Sequence, residues 1–510
     1  MFFSGPAGTG KSHLLGILKT ILPARTAHFT STTGITAVNL GGTTLWHWLG
    51  VNLSQNEGNA GPAKTKTFPT FAANPFAVQK SDNNSNKSLF GEDIVEAAVA
   101  RIRKSNDTFS RLRTAQTLVI DEISMLSATS LSNLDLVLKT VRQNQSPMGG
   151  LQVIICGDFL QLPPVISGNS SSGIFTKPGN TVTSSEPVFA FESPIWPRLF
   201  PPSQIVLLQR IFRQTDTSFV DILNKLRVGD AEDMSAQLAL ALERGRIVEE
   251  AKKKGIDINA LHSLSLQMQQ SAEDLGGENL DASSDMYAEL KRKISSIQSS
   301  LDVFDTLRNF SDATWLLTRK YQVETLNTTH LQALKSETVT LTAHDTSVSP
   351  AHLQYLQRTC PAKDTIQLKV GALVILTKNV NVADGLCNGA RGVILRFTSE
   401  KLPVVFFPYR KKTVVVKRER YPLIIGGQVV AEREMIPLEL AWAVSVHKSQ
   451  GLTLDKAIVD ISQVFEYGQA YVALSRLRSL DGLALVGYNP QFVCAHPLVK
   501  RFYTEMEKLQ

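Results

Sequence analysis

The sequence predicts a parallel α/β protein, and three observations predict it. Short apolar runs bounded by turn residues alternate with helical patterns along most of the chain. Two of those runs, "TLVID" and "LQVIICGD", end in carboxylates, and open α/β sheets gather ligands beyond the carboxyl ends of such strands. A glycine-rich turn followed by Lys-Ser, "GPAGTGKS", stands almost at the start, where a strand would hand over to a helix.

Taken in order, the first strand is cut to "MFFS" ahead of Gly5, and the pattern after the turn predicts a helix from His13 to Lys19. Further buried strands are expected at Ala27–Ser31, Thr117–Asp121, Leu151–Cys156, Thr314–Thr318, Ala457–Ile461 and Leu483–Gly487. The stretch 54–92 is rich in Asn, Ser, Lys, Pro and Gly and reads as a flexible surface insertion; Gly168 to Glu186 is similar but shorter. From about 231 to 304 the pattern is helical, with Leu290, Ile294, Ile297, Leu301 and Phe304 forming a narrow seam. Such a seam suits a helical arm or local packing. Over 366–434 runs such as "ALVIL", "GVILRF" and "TVVVK" predict a small inserted β-barrel-like module, whose hairpin "YRKKTVVVKRER" is strongly basic.

At 510 residues the chain calls for two to four domains. A formal charge of +7 suits a polyanionic partner and equally suits a mildly basic enzyme. The four cysteines, Cys156, Cys360, Cys387 and Cys494, form no C-x-x-C pair, which speaks against a disulfide framework or a zinc ribbon and fits a reducing compartment better. No apolar run approaches the roughly 18 residues of a membrane span, and no secretory or other targeting segment is visible.

"GPAGTGKS" fits G-x-x-x-x-G-K-[ST] through Gly5, Gly10, Lys11 and Ser12. In such a loop the backbone of Gly5, Ala7, Gly8, Thr9 and Gly10 curls so that N–H groups face phosphate oxygens. Lys11 reaches the β- and γ-phosphates, and the Ser12 hydroxyl ligates Mg²⁺. "LVIDEISML" supplies the second half of the site: Asp121 to hold Mg²⁺, and Glu122 as general base toward water. These parts predict nucleotide hydrolysis with Mg²⁺, while kinase, GTPase, transporter and motor all share them.

A longer ordered series chooses among those. "STTGITAVNLGGTTLWHW", "DEISML", "PMGGLQVIICGDFLQLPPV", "IFRQTD", "LKVGALVILTKN", "NGARGVI", "PLELAWAVSVHKSQGLTLD" and "GQAYVALSRLRSLDGL" together resemble the motif series of the PIF (petite integration frequency) DNA helicases, a superfamily-one group related to RecD. The resemblance spans the chain from Phe2 to "FYTEMEKL", leaving out the insertions. It implies two RecA-like domains, residues 1–207 and residues 208–365 with 435–510, around the inserted β module. It implies ATP between them and DNA across their tops. By resemblance Arg213 and Arg476 are the two arginines brought to the γ-phosphate by the second domain, and Gln161 senses that phosphate. Gln450 and Gly451 belong to the nucleotide site. Single-stranded DNA falls to Thr33, Gly34, Thr44, Trp46 and His47 in the first domain, and to His447, Lys448 and Thr453 in the second. Where the family usually reads Thr-Leu-His-Ser, this chain has Thr44-Leu45-Trp46-His47; Trp46 either stacks on a base or fills the core.

The implied activity is an ATP- and Mg²⁺-dependent helicase that moves 5′ to 3′ on single-stranded DNA and unwinds duplex DNA, in repair, recombination or telomere maintenance. It would work as a monomer, in the nucleus or mitochondrion if the source is eukaryotic. Two other readings stay open: an RNA remodeller, and a DNA-binding module with impaired catalysis. The second arises because the family places a helix and a glutamine-bearing, adenine-contacting segment before the strand of Gly5. The chain as it stands is therefore expected to be N-terminally truncated, with weak ATP affinity and little preference over GTP.

Overall fold

The computed structural model describes residues 1–33, 36–37, 40–51, 92–164, 188–231, 234–256, 258, 292–360, 362–378, 380–381, 386, 390–408, 411–425 and 428–509. The insertion expected at 54–92 lies outside these apart from residue 92, as does all of Gly168 to Glu186.

Six strands form the first sheet: β1 (Phe2–Ser4), β2 (Ala27–Ser31), β3 (Thr43–Thr44), β4 (Thr117–Asp121), β5 (Gln152–Cys156) and β6 (Ile205–Leu207). They run in the order β3-β2-β4-β5-β1-β6, every neighbouring pair parallel. Leu118, Val119 and Ile120 are all fully buried, because helices cover both faces of a parallel sheet and alternation has no solvent side to serve. Short as it is, β1 is an inner strand. It pairs Phe2 with Ile155 and Phe3 with Cys156 on one side, and Phe2, Phe3 and Ser4 with Ile205, Val206 and Leu207 on the other. Phe2 anchors it in an aromatic cluster with Phe159, Trp196 and Phe200. The helix after the glycine turn runs Lys11–Ile21, longer at both ends than its expected core.

A second parallel sheet is assembled from two distant stretches: β7 (Thr314–Leu317) before a long insertion, and β18 (Ala443–Ser445), β19 (Ala457–Asp460) and β20 (Leu483–Val486) after it. Its order is β18-β7-β19-β20. All three long apolar runs expected in this half are present, each one residue shorter than its pattern.

The inserted module is larger than the 366–434 expected. Its strands start at β8 (Val339–Thr342) and β9 (His344–Ser347). They continue through β10 (Thr365–Leu368), β11 (Leu373–Leu376), β12 (Arg391–Phe397), β13 (Pro403–Phe407), β14 (Lys412–Val415), β15 (Glu419–Ile425) and β16 (Gln428–Met435), and end at β17 (Leu438–Leu440). Among the described residues the strands do not close into a barrel. They form an open five-stranded sheet, β14-β13-β12-β11-β17, beside three- and two-stranded ribbons. The upstream strands escaped notice because "VTLT" is polar and exposed on alternate residues and "HDTS" is polar throughout, leaving no apolar run to see.

Of two further segments, one departs from expectation. Leu290 lies outside the described residues, but Ile294 and Ile297 of the supposed arm are buried with Ile247, Val248 and Ala251 against Ile458, Ala484 and Val486. These described residues pack onto the second sheet, the local packing that the seam allowed. The C-terminal helix Pro497–Leu509 belongs to the first domain's core, where Val499, Phe502, Tyr503 and Met506 pack with Phe2, Phe159, Phe191 and Trp196. The chain ends in the domain where it began.

Candidate nucleotide site and nucleic-acid interface

The turn after β1 bends through Gly5, Gly8 and Gly10, all at positive φ, and two of them are forced by close approach. A Cβ on Gly5 would lie 2.2 Å from the Leu208 carbonyl oxygen, and one on Gly8 2.8 Å from Cβ of Arg213. The helix that follows has no side-chain cap on Gly10, so its first N–H groups and the positive end of its dipole are left for an anion. Lys11 Nζ donates to the carbonyls of Gly5 and Pro6, 2.8 Å each, which lays the ammonium along the inside of the loop. Thr9 closes it by donating to Pro6 O at 2.9 Å, and Tyr471 of the second domain accepts the Ala7 N–H at 2.7 Å.

Ser12 Oγ and Asp121 Oδ2 stand 3.5 Å apart across 109 residues of sequence. A hydroxyl and a carboxylate at that separation form the donor set that Mg²⁺ takes beside phosphates, so loop and pair together fit a Mg²⁺-nucleotide. Burial, and then the charge of Glu122, push Asp121 up to about 7. Glu122 is also raised, by burial above all, against the pull of Lys11 and Arg476. Two adjacent carboxylates in one enclosed site resist double ionisation until cations join them.

Glu122 has φ 55°, left-handed for a residue with a side chain. The observed contacts explain what holds it. Thr32 Oγ1 donates to its carbonyl at 2.8 Å, its N–H is tied to Asp121 Oδ1 at 2.9 Å, and Gln450 Nε2 donates to its carboxylate at 3.1 Å. Thr32 belongs to "STTG" and Gln450 to "HKSQG", so a loop from each domain grips the same acid. The two loops also meet directly, since a Cβ on Gly451 would lie 3.7 Å from Thr36.

Both arginines reach this site. Arg213 Nη1 donates to the Ser475 carbonyl at 2.9 Å, and its own strand of chain is stitched to the loop by Phe212 N–H to Gly8 O at 2.8 Å. Arg476 is buried, donating to Val472 O at 2.9 Å and Ser475 Oγ at 3.0 Å. Burial and the neighbouring Arg213 push it down to about 9, though a guanidinium stays charged at neutral pH. Two desolvated cations side by side are poised to gain from an anion between the domains. Gln161 is buried, its backbone N–H bonded to Asp158 O at 3.0 Å, and its carbonyl faces Gly468 of the second domain.

The expected DNA residues divide. Thr33 Oγ1 pairs with Thr36 Oγ1 at 2.6 Å; Gly34 lies outside the described residues. Thr44 caps the short helix Leu45–Leu49 by accepting the His47 N–H at 3.3 Å. Trp46 packs against the first core with part of its surface open, and His47 is pushed down by burial and by Arg111. In the second domain His447 is paired with Glu466 (2.9 Å) and Lys448 with Glu439 (2.9 Å), while Thr453 is exposed. Gln450, expected in the nucleotide site, donates there to the Glu122 carboxylate.

Sequence reasoning missed Tyr471, Thr32 and Gln214. Gln214 bonds the carbonyls of Ser475 (3.3 Å) and Leu477 (2.8 Å). All three lie inside quoted motifs, and no single-residue chemistry separated them from their neighbours. It missed Arg227 and Tyr503 as well and gave no role to Asp158, the carboxylate that ends "LQVIICGD"; the three meet only in three dimensions.

A family model described as PIF1-like helicase matches residues 86–237, and one for the 2B domain of DNA helicase Pif1 matches residues 352–397. The ATP-dependent DNA helicase PIF1 of Xenopus laevis is 32% identical over 510 residues, which is 100% of this chain and 62% of that protein. The chain thus spans about three fifths of the length of the curated relatives it matches. The crystal structure of Pif1 helicase from Candida albicans superposes with a TM-score of 0.67 at 28% identity, covering 99% of this chain and 95% of that one. That of Pif1 helicase from Bacteroides in complex with ADP-AlF3 and ssDNA gives 0.54 at 25% identity, covering 99% and 93%.

Proposed function

The chain belongs to the PIF1-like helicase family, and from that premise we propose that it is an ATP- and Mg²⁺-dependent helicase that moves 5′ to 3′ on single-stranded DNA and unwinds duplex DNA. The observation that carries this is Glu122, whose carbonyl is held by Thr32 of the first domain and whose carboxylate is held by Gln450 of the second. An acid poised to activate water is thereby fastened to a nucleic-acid loop on each side. Movement of either loop along a strand reaches the base, and the reverse. The related Bacteroides helicase captured with ADP-AlF3 and ssDNA together supports both ligands for this chain.

The residues divide the work as follows. The uncapped helix end and the loop backbone hold the phosphates, and Lys11 exchanges the carbonyls of Gly5 and Pro6 for phosphate oxygens. Ser12 and Asp121 would hold Mg²⁺, which would supply positive charge to offset that of the phosphates. Glu122 orients the attacking water and takes its proton. Arg213 and Arg476, already desolvated, stabilise charge spreading onto the transferred group, a role worth about 10³–10⁵ in rate. Three free cysteines among the described residues, Cys156, Cys360 and Cys494, support a reducing, intracellular setting, with the nucleus or mitochondrion proposed for a eukaryotic source. No described helix is long and apolar enough to cross a membrane.

The test is steady-state ATP hydrolysis with and without ssDNA or ssRNA, on the parent chain and on Glu122→Gln. Turnover stimulated by ssDNA above ssRNA is expected, and Glu122→Gln should retain ATP and ssDNA binding while kcat falls by about 10² or more. Absent stimulation would favour a binding module, and preference for ssRNA a remodeller of RNA.

A further inference from the structure

Three buried polar side chains outside the nucleotide site, Ser4, Asp158 and Tyr503, meet the partly buried Arg227 at one point. Asp158 is fully buried and takes a two-pronged ion pair from Arg227, Nε to Oδ2 at 3.0 Å and Nη2 to Oδ1 at 2.8 Å. Its Oδ1 also accepts the Leu160 N–H at 3.2 Å and the Tyr503 hydroxyl at 3.2 Å. The Tyr503 oxygen accepts the Phe159 N–H at 3.0 Å and lies 2.6 Å from Ser4 Oγ. A phenol has one proton, so with that proton on Asp158 the Ser4 hydroxyl must donate to Tyr503, and all of the hydroxyl's capacity is used. The Arg227 guanidinium lies 5.0 Å over the Tyr503 ring.

Each member comes from a different part of the molecule. Ser4 ends β1 and leads directly into Gly5. Asp158 opens the loop that carries Gln161. Arg227 ends the helix Thr217–Arg227, which is rooted in the second domain's core by Phe219, Ile222, Leu223 and Leu226. Tyr503 stands on the C-terminal helix, in the first domain's core. Burial raises the Asp158 carboxyl, but the charge and hydrogen bonds of Arg227 outweigh it, and the acid ends below its usual range. The pair is ionised at neutral pH.

A buried ion pair is a poor source of net stability, because desolvation offsets most of the attraction. A polar network with every group satisfied does fix the positions of the parts it joins. We propose that Tyr503 is a positioning residue for the phosphate-binding and sensor loops, its hydroxyl joining the strand that feeds Gly5 to the loop that carries Gln161. The Asp158–Arg227 pair then passes rotation of the second domain to both loops at once. This inference rests on the nucleotide-driven helicase reading above.

Tyr503→Phe keeps the ring in the core and removes only the bridge. In the full chain its melting temperature should stay within about 5 °C of the parent, and KM for ATP within about threefold. The kcat with saturating ssDNA should fall about tenfold, as for an interaction that counts in the transition state. Combined with Gln161→Ala, it should be no slower than Gln161→Ala alone, because both act through one loop. Ser4→Ala removes the other end of the same bridge and should reproduce the split between kcat and KM. Arg227→Lys should keep more activity than Arg227→Met. Parental kcat in both Tyr503→Phe and Ser4→Ala, or losses that multiply with that of Gln161→Ala, would overturn the proposal and leave the helicase reading standing. A parent without ssDNA-stimulated turnover would overturn both.

Discussion

His496 illustrates how one side chain can be tuned by its place between domains. It precedes the C-terminal helix, and its Nδ1 accepts the Leu498 N–H at 3.3 Å. Its ring meets Phe189 and Tyr467 edge-on. Accepting through Nδ1 requires the neutral ring, and a cation at a helix N-terminus is disfavoured. Burial lowers its pKa to about 4. Between about 4 and 6.5 the unfolded chain binds more protons than the folded one. The stabilising contribution is therefore complete above about 6.5 and is lost as pH falls through about 4. His496→Gln cannot titrate, so the fall in its melting temperature from pH 7 to pH 4.5 should be smaller than the parent's by a few degrees. Thermal scans across that range decide it; equal falls in both proteins would place the acid sensitivity elsewhere. Glu122 is the opposite case, an acid held in a left-handed conformation by Thr32 and Gln450. Strain of that kind persists only where surroundings over-determine it.

At the scale of elements, the turn Val446–Leu452 after β18 carries two separable tasks. Lys448 faces outward, paired with Glu439 at a half-exposed position, whereas Gln450 faces inward onto Glu122. Exposed ion pairs are worth little, so Lys448 can be exchanged to a phosphate at small cost. Lys448→Ala should weaken ssDNA binding and reduce the slope of log affinity against log salt by about one, with the ATPase at saturating ssDNA near that of the parent. Gln450→Ala should do the reverse: ssDNA affinity within about threefold, and the ratio of stimulated to basal kcat down about tenfold. Titrations at several salt concentrations, with ATPase assays beside them, test both; one variant showing both defects would mean the turn moves as a unit.

Across the whole molecule, the most consequential feature is the return of the chain to its first domain. Removing residues 497–510 would strip Val499, Phe502, Tyr503 and Met506 from the core that holds Phe2. At about 1.5–3 kcal/mol for each buried apolar side chain, the loss rivals the 5–15 kcal/mol that stabilises a typical domain. The shortened chain should expose its first domain to protease at 25 °C, while peptides from the second domain's core survive longer. Equal resistance of both domains would mean the helix is dispensable for folding. The same crossing makes Asp158, Arg227 and Tyr503 neighbours, so domain rotation and the phosphate loop share a fulcrum.

By itself the sequence determined everything that local chemistry dictates. Gly5 and Gly8 announce a turn that no other residue could make at those approaches. Runs such as "TLVID" announce buried parallel strands because no polar alternation interrupts them. The parallel α/β class, the pairing of Ser12 with Asp121 and the ordered motif series were legible for that reason. Tertiary structure alone decided what depends on chain crossing: the contact of Gln450 with Glu122, the folding of the Ile294 and Ile297 seam onto the second sheet, and the seating of the C-terminal helix in the first core. Strands β8 and β9 were invisible because polar residues leave them no apolar run, and only their pairing with β10 and β16 defines them. An apolar face in sequence states that it will be covered, and only the three-dimensional path states by what. Polar partners such as Asp158 and Arg227, 69 residues apart, carry no periodicity at all, because a hydrogen bond depends on position in space and not on spacing along the chain.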